Sequence, residues 1–293
     1  MSADPAFNFF ASLDDQGQQE VRHVRVEQEL QKELTDVLSH QRDDLIDAEE
    51  VAFDGRYKPT EDEVFFIEGF ALPADIVRSI EKPTSAPPLD RQTADRWDAL
   101  KSFFAGRVTS GGRIEAVFQV FDRRRSLAHS RSIIIRNETF SRLDEPGIIL
   151  DNRAVAVVQH DRLYFRSYIS ARRVLDLSQF YRIATDDDVK KFTQITQLAF
   201  EDTAQFIAGS DAQIRRKIAL INDSAVLQNV PPSAIQKAAR AYGLMITVKS
   251  GRLVIPRDKK DVKAVLRFLE ENYFTSELTG TRFLTSSKRP VPK

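Results

Sequence analysis

The sequence predicts an α+β fold: an antiparallel β-meander covered by helices, then two helices and a hairpin in winged-helix order near the C-terminus. Three observations predict it. Short β-rich runs follow one another from Ile114 to Arg166. Apolar residues recur at helical spacing before and after that stretch. The glycine-rich strand-to-helix turn of a Rossmann unit is missing.

The totals are those of a globular protein. The chain has 293 residues, 42% hydrophobic and 29% charged, with no cysteine. Stability must therefore come from packing rather than disulfides, as in a reducing cytoplasm. No run approaches the roughly 20 apolar residues of a membrane helix. Met1-Ser-Ala-Asp-Pro5 also lacks the basic and apolar regions of a signal peptide. The expectation is a cytoplasmic chain with no membrane insertion of its own.

The formal net charge of +0 conceals a split: residues 1–100 carry 10 Lys/Arg against 23 Asp/Glu, and the remainder 33 against 20. A basic body favours polyanions by counterion release, while an acidic front repels them or docks on a basic partner. Ordinary solvated faces are the plainer alternative.

In chain order, Val21–Val26 alternates like a strand, and Leu30, Leu34, Val37, Leu38 and Leu45 form one helical stripe over 27–45. Glu63–Phe70 reads as a short buried strand, and a helix follows over 74–80. Lys82-Pro-Thr-Ser-Ala-Pro-Pro-Leu89 reads as an exposed linker. Three parts result: an acidic 1–89, a central sheet with its covering helix over 90–209, and a basic 210–293.

In the central part a helix is expected over 94–104, then strands over 114–121, 131–135, 147–150, 154–159 and 163–166. His160-Asp161 marks a hairpin turn. Thr185-Asp-Asp-Asp188 is a capping-box start, and the apolar spacing from Val189 to Ile207 predicts one helix that covers the meander and stops near Gly209.

The basic part opens with a helix over 211–222 carrying Arg215, Arg216 and Lys217. A second helix starts at Pro231-Pro-Ser233 and ends at Gly243, and a hairpin turns at Lys249-Ser-Gly251. In winged-helix order Ser233, Gln236, Lys237 and Arg240 would meet base edges or phosphate, and Lys249 and Arg252 the backbone. The same order is common in proteins that bind nothing. A last helix over 258–272 leads into Phe274, Leu278, Phe283 and Leu284, which are expected to return to a core, leaving Arg282, Lys288 and Arg289 for contact.

No Walker loop, serine-hydrolase elbow or zinc spacing occurs, and the four histidines are scattered. A metal-dependent nuclease needs strand acids followed closely by lysine. Glu115, Asp151 and Asp161 lie near strands without that lysine, so a non-enzyme without cofactor or metal is expected, with a cryptic nuclease as an alternative. The stronger signal is repeated arginine: Arg123-Arg124-Arg125, Arg172-Arg173, Arg215-Arg216-Lys217 and Lys288-Arg289. The planar guanidinium makes two bonds to phosphate and does not titrate.

At Glu271-Asn-Tyr-Phe-Thr-Ser-Glu-Leu-Thr-Gly-Thr-Arg-Phe-Leu-Thr-Ser-Ser-Lys288 the chain resembles the KwaB family of the Kiwa anti-phage defence system. The likeness extends more loosely to Ala154–Phe165, the Thr185 helix, Tyr242-Gly-Leu and Tyr57-Lys-Pro…Asp62-Glu-Val-Phe-Phe66. The resemblance implies a DNA-binding effector that self-associates. It would work with a KwaA-like multi-span membrane protein and hinder phage DNA replication and late transcription. Its DNA contacts follow no motif that transfers by position, so the candidates above rest on charge and spacing. The acidic front departs from a wholly DNA-binding surface, and a structural module docking a membrane partner is the other alternative.

Overall fold

The computed structural model describes residues 4–15, 18–89, 99–121, 133–136, 139–142 and 149–289. It divides into two compact units, Met1–Phe53 with Lys58–Leu177, and Asp54–Tyr57 with Ser178–Lys293. The architecture is α+β, as expected. Among the described residues no helix is long and apolar enough to cross a membrane.

The first unit is built on one eight-stranded sheet. Its strands are β1 (Asn8–Asp15), β2 (Gln18–Val24), β3 (Glu49–Ala52), β4 (Glu63–Glu68), β5 (Leu100–Val108), β6 (Ile114–Val120), β9 (Ala156–Gln159) and β10 (Arg162–Phe165). They lie in the order β2-β1-β5-β6-β9-β10-β4-β3, antiparallel except for the β3–β4 pair. The hairpin of β7 (Ile133–Arg136) and β8 (Thr139–Arg142) stands outside it. The meander β5-β6-β9-β10 is thus present, and strands from before Lys82 extend it at both ends. The β9–β10 turn falls at His160 and Asp161, both in the left-handed region.

Three expectations change here. The 82–89 segment is not a free linker: the His23 amide donates to the Pro87 carbonyl (2.8 Å) and the Leu89 amide to the His23 carbonyl (2.9 Å), so it covers the β2 edge. Leu100–Phe104 belongs to β5 rather than a helix, residues 94–98 lying outside the described set. Both faces of β5 are buried, so its apolar run loses the alternation that marks a strand. Of the strand expected over 147–150, only Ile149 and Leu150 are described, and neither is extended into a ladder.

Helix α1 (Gln28–Ile46) packs Leu38 and Leu45 with Phe9, Ala105, Val117, Val157 and Tyr164. Helix α2 (Ala74–Glu81) approaches β5 so closely that a Cβ on Gly106 would sit 2.3 Å from Ile80. Phe104 stacks between Phe10 and Phe118, at 5.0 and 5.4 Å. Between α1 and the sheet, Glu115 is 1% exposed on its side chain and accepts from Arg107 Nε at 2.6 Å, Arg42 Nη1 at 3.0 Å and Gln159 Nε2 at 3.0 Å. The short helix α3 (Tyr168–Ala171) follows β10.

The second unit holds α4 (Asp186–Thr193), β11 (Leu198–Phe200), α5 (Thr203–Gly209), α6 (Ala212–Ser224), α7 (Val226–Asn229), α8 (Pro232–Ala241), β12 (Thr247–Lys249), β13 (Arg252–Ile255) and α9 (Lys259–Leu269). The hairpin β14 (Tyr273–Thr275) and β15 (Arg282–Leu284) closes it. The capping box at Thr185 and Asp188 forms as expected. The single helix expected beyond it is instead α4 and α5, separated by β11, which pairs in parallel with β13. Asp202 starts the second helix by accepting the Gln205 amide at 2.9 Å. Val189, Phe192 and Phe206 bury against Ile214, Ile218, Leu253 and Leu266, so α4 and α5 serve this unit's own core and not the meander.

Gly106→Ala should unfold at lower temperature by an amount equivalent to about 1–3 kcal/mol, because the added methyl meets the Ile80 side chain against the sheet. A thermal melt of the variant beside the parent, with secondary structure checked by circular dichroism, measures this.

Candidate nucleic-acid interface

The arginine-rich run of α6 is held by the protein. Asp211 caps the helix by accepting the Ile214 amide at 2.9 Å. Arg215 donates from Nε to the Ser210 carbonyl (2.9 Å), from Nη1 to the Ala184 carbonyl (3.2 Å), and pairs with Asp186. Arg216 donates to the Gly55 carbonyl and lies 4.8 Å over the Tyr181 ring. Lys217 pairs with Glu270, both largely buried. Each side chain therefore closes a helix end, a crossing segment or a buried acid.

The same holds at the C-terminal run. Lys288 donates to the Glu270 carbonyl and to Asn272 Oδ1 at 3.0 Å, and burial lowers its pKa against the opposing pull of Glu270. Arg289 lies 5.2 Å over Tyr57. Asp211 also pairs with Lys259 and Lys263, each at 3.0 Å. The Ile214 amide first, and then these two ammonium groups, hold its carboxyl far below the usual range despite burial.

A second set of cations is exposed. Lys237 and Arg240 lie with Ser233 along one stripe of α8, at i, i+4 and i+7. Lys249 and Arg252 face each other across the Ser250-Gly251 turn of the β12–β13 hairpin, whose two residues are both left-handed. Arg282 sits on β15 opposite Thr275. Among the described residues, none of these five cations has an ion pair or hydrogen bond with the protein. Gln236, by contrast, donates from Nε2 to the Ile246 carbonyl at 2.9 Å, which joins α8 to the hairpin.

Arg282 is carried to the α8 end by an aromatic clasp. The ring of Tyr242, two residues past Arg240, lies 6.1 Å from Phe268 and 5.6 Å from Tyr273, and its hydroxyl is 3.1 Å from Thr275 Oγ1. Sequence reasoning missed this clasp, since its members come from three elements without a common period. Arg123, Arg124 and Arg125 lie outside the described residues. Arg172 stacks at 5.8 Å over Tyr168 in the first unit.

Of the acids weighed for metal chemistry, Glu115 is occupied by two arginines and Asp161 forms a hairpin turn. The Asp151 carbonyl accepts Gln41 and Gln119 at 3.0 and 2.8 Å. Among the described residues no group of three or more His, Asp or Glu is arranged to hold a metal ion.

The charge split keeps its sign between the units but is about half as large as the division at residue 100, because residues 101–177 add 14 Lys/Arg against 8 Asp/Glu to the first unit. The second unit carries 20 Lys/Arg against 13 Asp/Glu, and the first 23 against 30. Fold and surface thus define a two-unit α+β protein whose C-terminal unit neutralises its buried cations and displays others. A family model described as Kiwa protein KwaB-like matches residues 117–279, more than half of the chain. The chain belongs to that family and is a component of the Kiwa anti-phage system. Comparison with curated proteins and with solved structures gave no significant match.

Asp211→Ala should cost about 1 kcal/mol at neutral pH, the usual worth of a helix cap. Because the folded carboxyl titrates below its unfolded value, its stabilisation is present above that value and lost as the pH falls through the acid range. Urea unfolding at neutral pH and at about pH 3 should show the gap between parent and variant narrowing in acid.

Proposed function

We propose that the protein is an anti-phage effector that binds duplex DNA without turnover and hinders phage replication and transcription. The contact surface on this reading is the exposed cation set Lys237, Arg240, Lys249, Arg252 and Arg282. The observation that carries it is the sorting of charge in the second unit. Cations needed for folding are paired, whereas these five stand in water with no protein partner among the described residues. An unpaired exposed cation loses little solvation on meeting phosphate and gains counterion release.

On the same reading the chain is cytoplasmic, self-associates, and is recruited to the inner membrane by a KwaA-like membrane protein. The acidic surface of the first unit supports a docking role separate from DNA. Asp44, Asp47, Glu49, Glu61 and Asp62 line a cleft of about 800 Å³ there with Arg166. That cleft would repel DNA and suits a basic partner segment.

Fluorescence anisotropy with a labelled duplex over a salt series tests the DNA reading. Changing Lys237, Arg240, Lys249, Arg252 and Arg282 to Ala should weaken binding and flatten the log–log salt dependence by about 0.9 for each phosphate that is no longer neutralised. Thermal stability should stay unchanged, since these side chains support nothing. Equal affinity and slope for parent and variant would refute this surface.

A further inference from the structure

A cavity of about 490 Å³ lies in the first unit between α1 and the sheet. Its floor is one cross-strand row, Val24, Phe9, Ala105 and Val117, which the register aligns from β2 through β1 and β5 to β6. Leu30, Leu34 and Leu38 roof it, spread over about 12 Å of helix. The small side chain of Ala105, in the middle of the row, leaves the depth. Small-molecule sites run from about 300 to 1,000 Å³, and this space is far larger than the water-sized voids of a close-packed interior.

The lining decides what can fill it. Among the described residues it carries no charge, and its only polar side chain is that of Gln119. Water finds too few partners on such walls, whereas an apolar molecule supplies the contacts that an empty space forfeits.

Gln119 is 4% exposed, and most of its bonding capacity is taken. Its Nε2 donates to Gln41 Oε1 at 2.7 Å and to the Asp151 carbonyl at 2.8 Å, and its Oε1 accepts the Asp151 amide at 3.0 Å. Both amide hydrogens are committed, so what remains is a lone pair on Oε1. That atom can accept a hydroxyl proton and offers nothing to an anion. The mouth makes the same distinction. Leu30 there is 44% exposed, and Glu27 and Glu33, three positions to either side of it, are exposed as well. A carboxylate or phosphate head would meet like charge at that end and no donor at the other.

We propose that the cavity binds an uncharged long-chain alcohol, its hydroxyl donating to Gln119 Oε1 and its hydrocarbon chain lying between Leu34 and the Phe9–Ala105 row. This site belongs to the first unit and stands whether or not the exposed cations of the second bind DNA.

Thermal melts of the full chain with 1-decanol, decanoate and decyl methyl ether test it. Decanol should raise the midpoint saturably, as a ligand of the folded state alone does. Decanoate, of the same chain length, should give no shift. The ether keeps the oxygen but cannot donate, and it should bind about tenfold more weakly, which corresponds to roughly 1.4 kcal/mol. Leu34→Phe extends a half-buried side chain into the space and should abolish the decanol shift. Leu30→Trp, at the exposed mouth, keeps the fold and gives a second reading: relative to the parent, its emission should move to the blue as decanol enters. Absence of both the saturable shift and the emission change would overturn the site, as would an undiminished shift in a folded Leu34→Phe chain. Decanoate or the ether binding as tightly as decanol would overturn the assignment to an alcohol.

Discussion

A charge removed from water must find a partner, and that constraint shapes both units. In the first, Glu115 lies between α1 and the sheet, and Arg42 and Arg107 close on it from the helix and the neighbouring strand. Removing either arginine would leave a buried carboxylate under-compensated, which is far costlier than never burying the pair. In the second, Glu270 and the chain that follows it gather Lys217, Asn272 and Lys288 into one network. The same rule divides the cations. Those that fold the protein are consumed by it, and those that remain exposed carry whatever the surface recognises.

The sheet of the first unit obeys a second constraint, that both faces must be covered. Helix α1 covers one and α2 the other, and the latter approaches so closely that only glycine fits at 106. Coverage on both sides removes the alternation by which a half-buried strand is recognised, which is why the start of Leu100–Val108 reads as helix in the sequence and folds as strand. The opposite effect acts on Thr185–Ile207. There the helical spacing is real on either side of a break, and the break holds a strand whose partner, β13, lies more than fifty residues away in sequence.

The closing hairpin joins these themes. Its inner face is fixed by an aromatic clasp that also brings Arg282 to the end of α8, while Phe274, Leu278, Phe283 and Leu284, expected to return to the core, stay exposed. A family marker in the sequence is thus both a structural clamp and an unsatisfied surface. Neither role is legible from composition, because serine, threonine and phenylalanine in alternation suit a packed strand and an exposed one equally.

Several features were determined by the sequence alone: the α+β class, the capping box at Thr185, the His160-Asp161 and Ser250-Gly251 turns, the charge split and the KwaB likeness. These depend on residues a few positions apart, or on sums. Tertiary structure alone decided which arginines were bound and which free, which helices covered which sheet, and which face of the hairpin was left open. Each of these is set by a partner distant in the chain, and the physical reason is common to all. Periodicity fixes the direction a side chain takes from its own element, while its burial and pairing depend on what the rest of the fold brings to meet it.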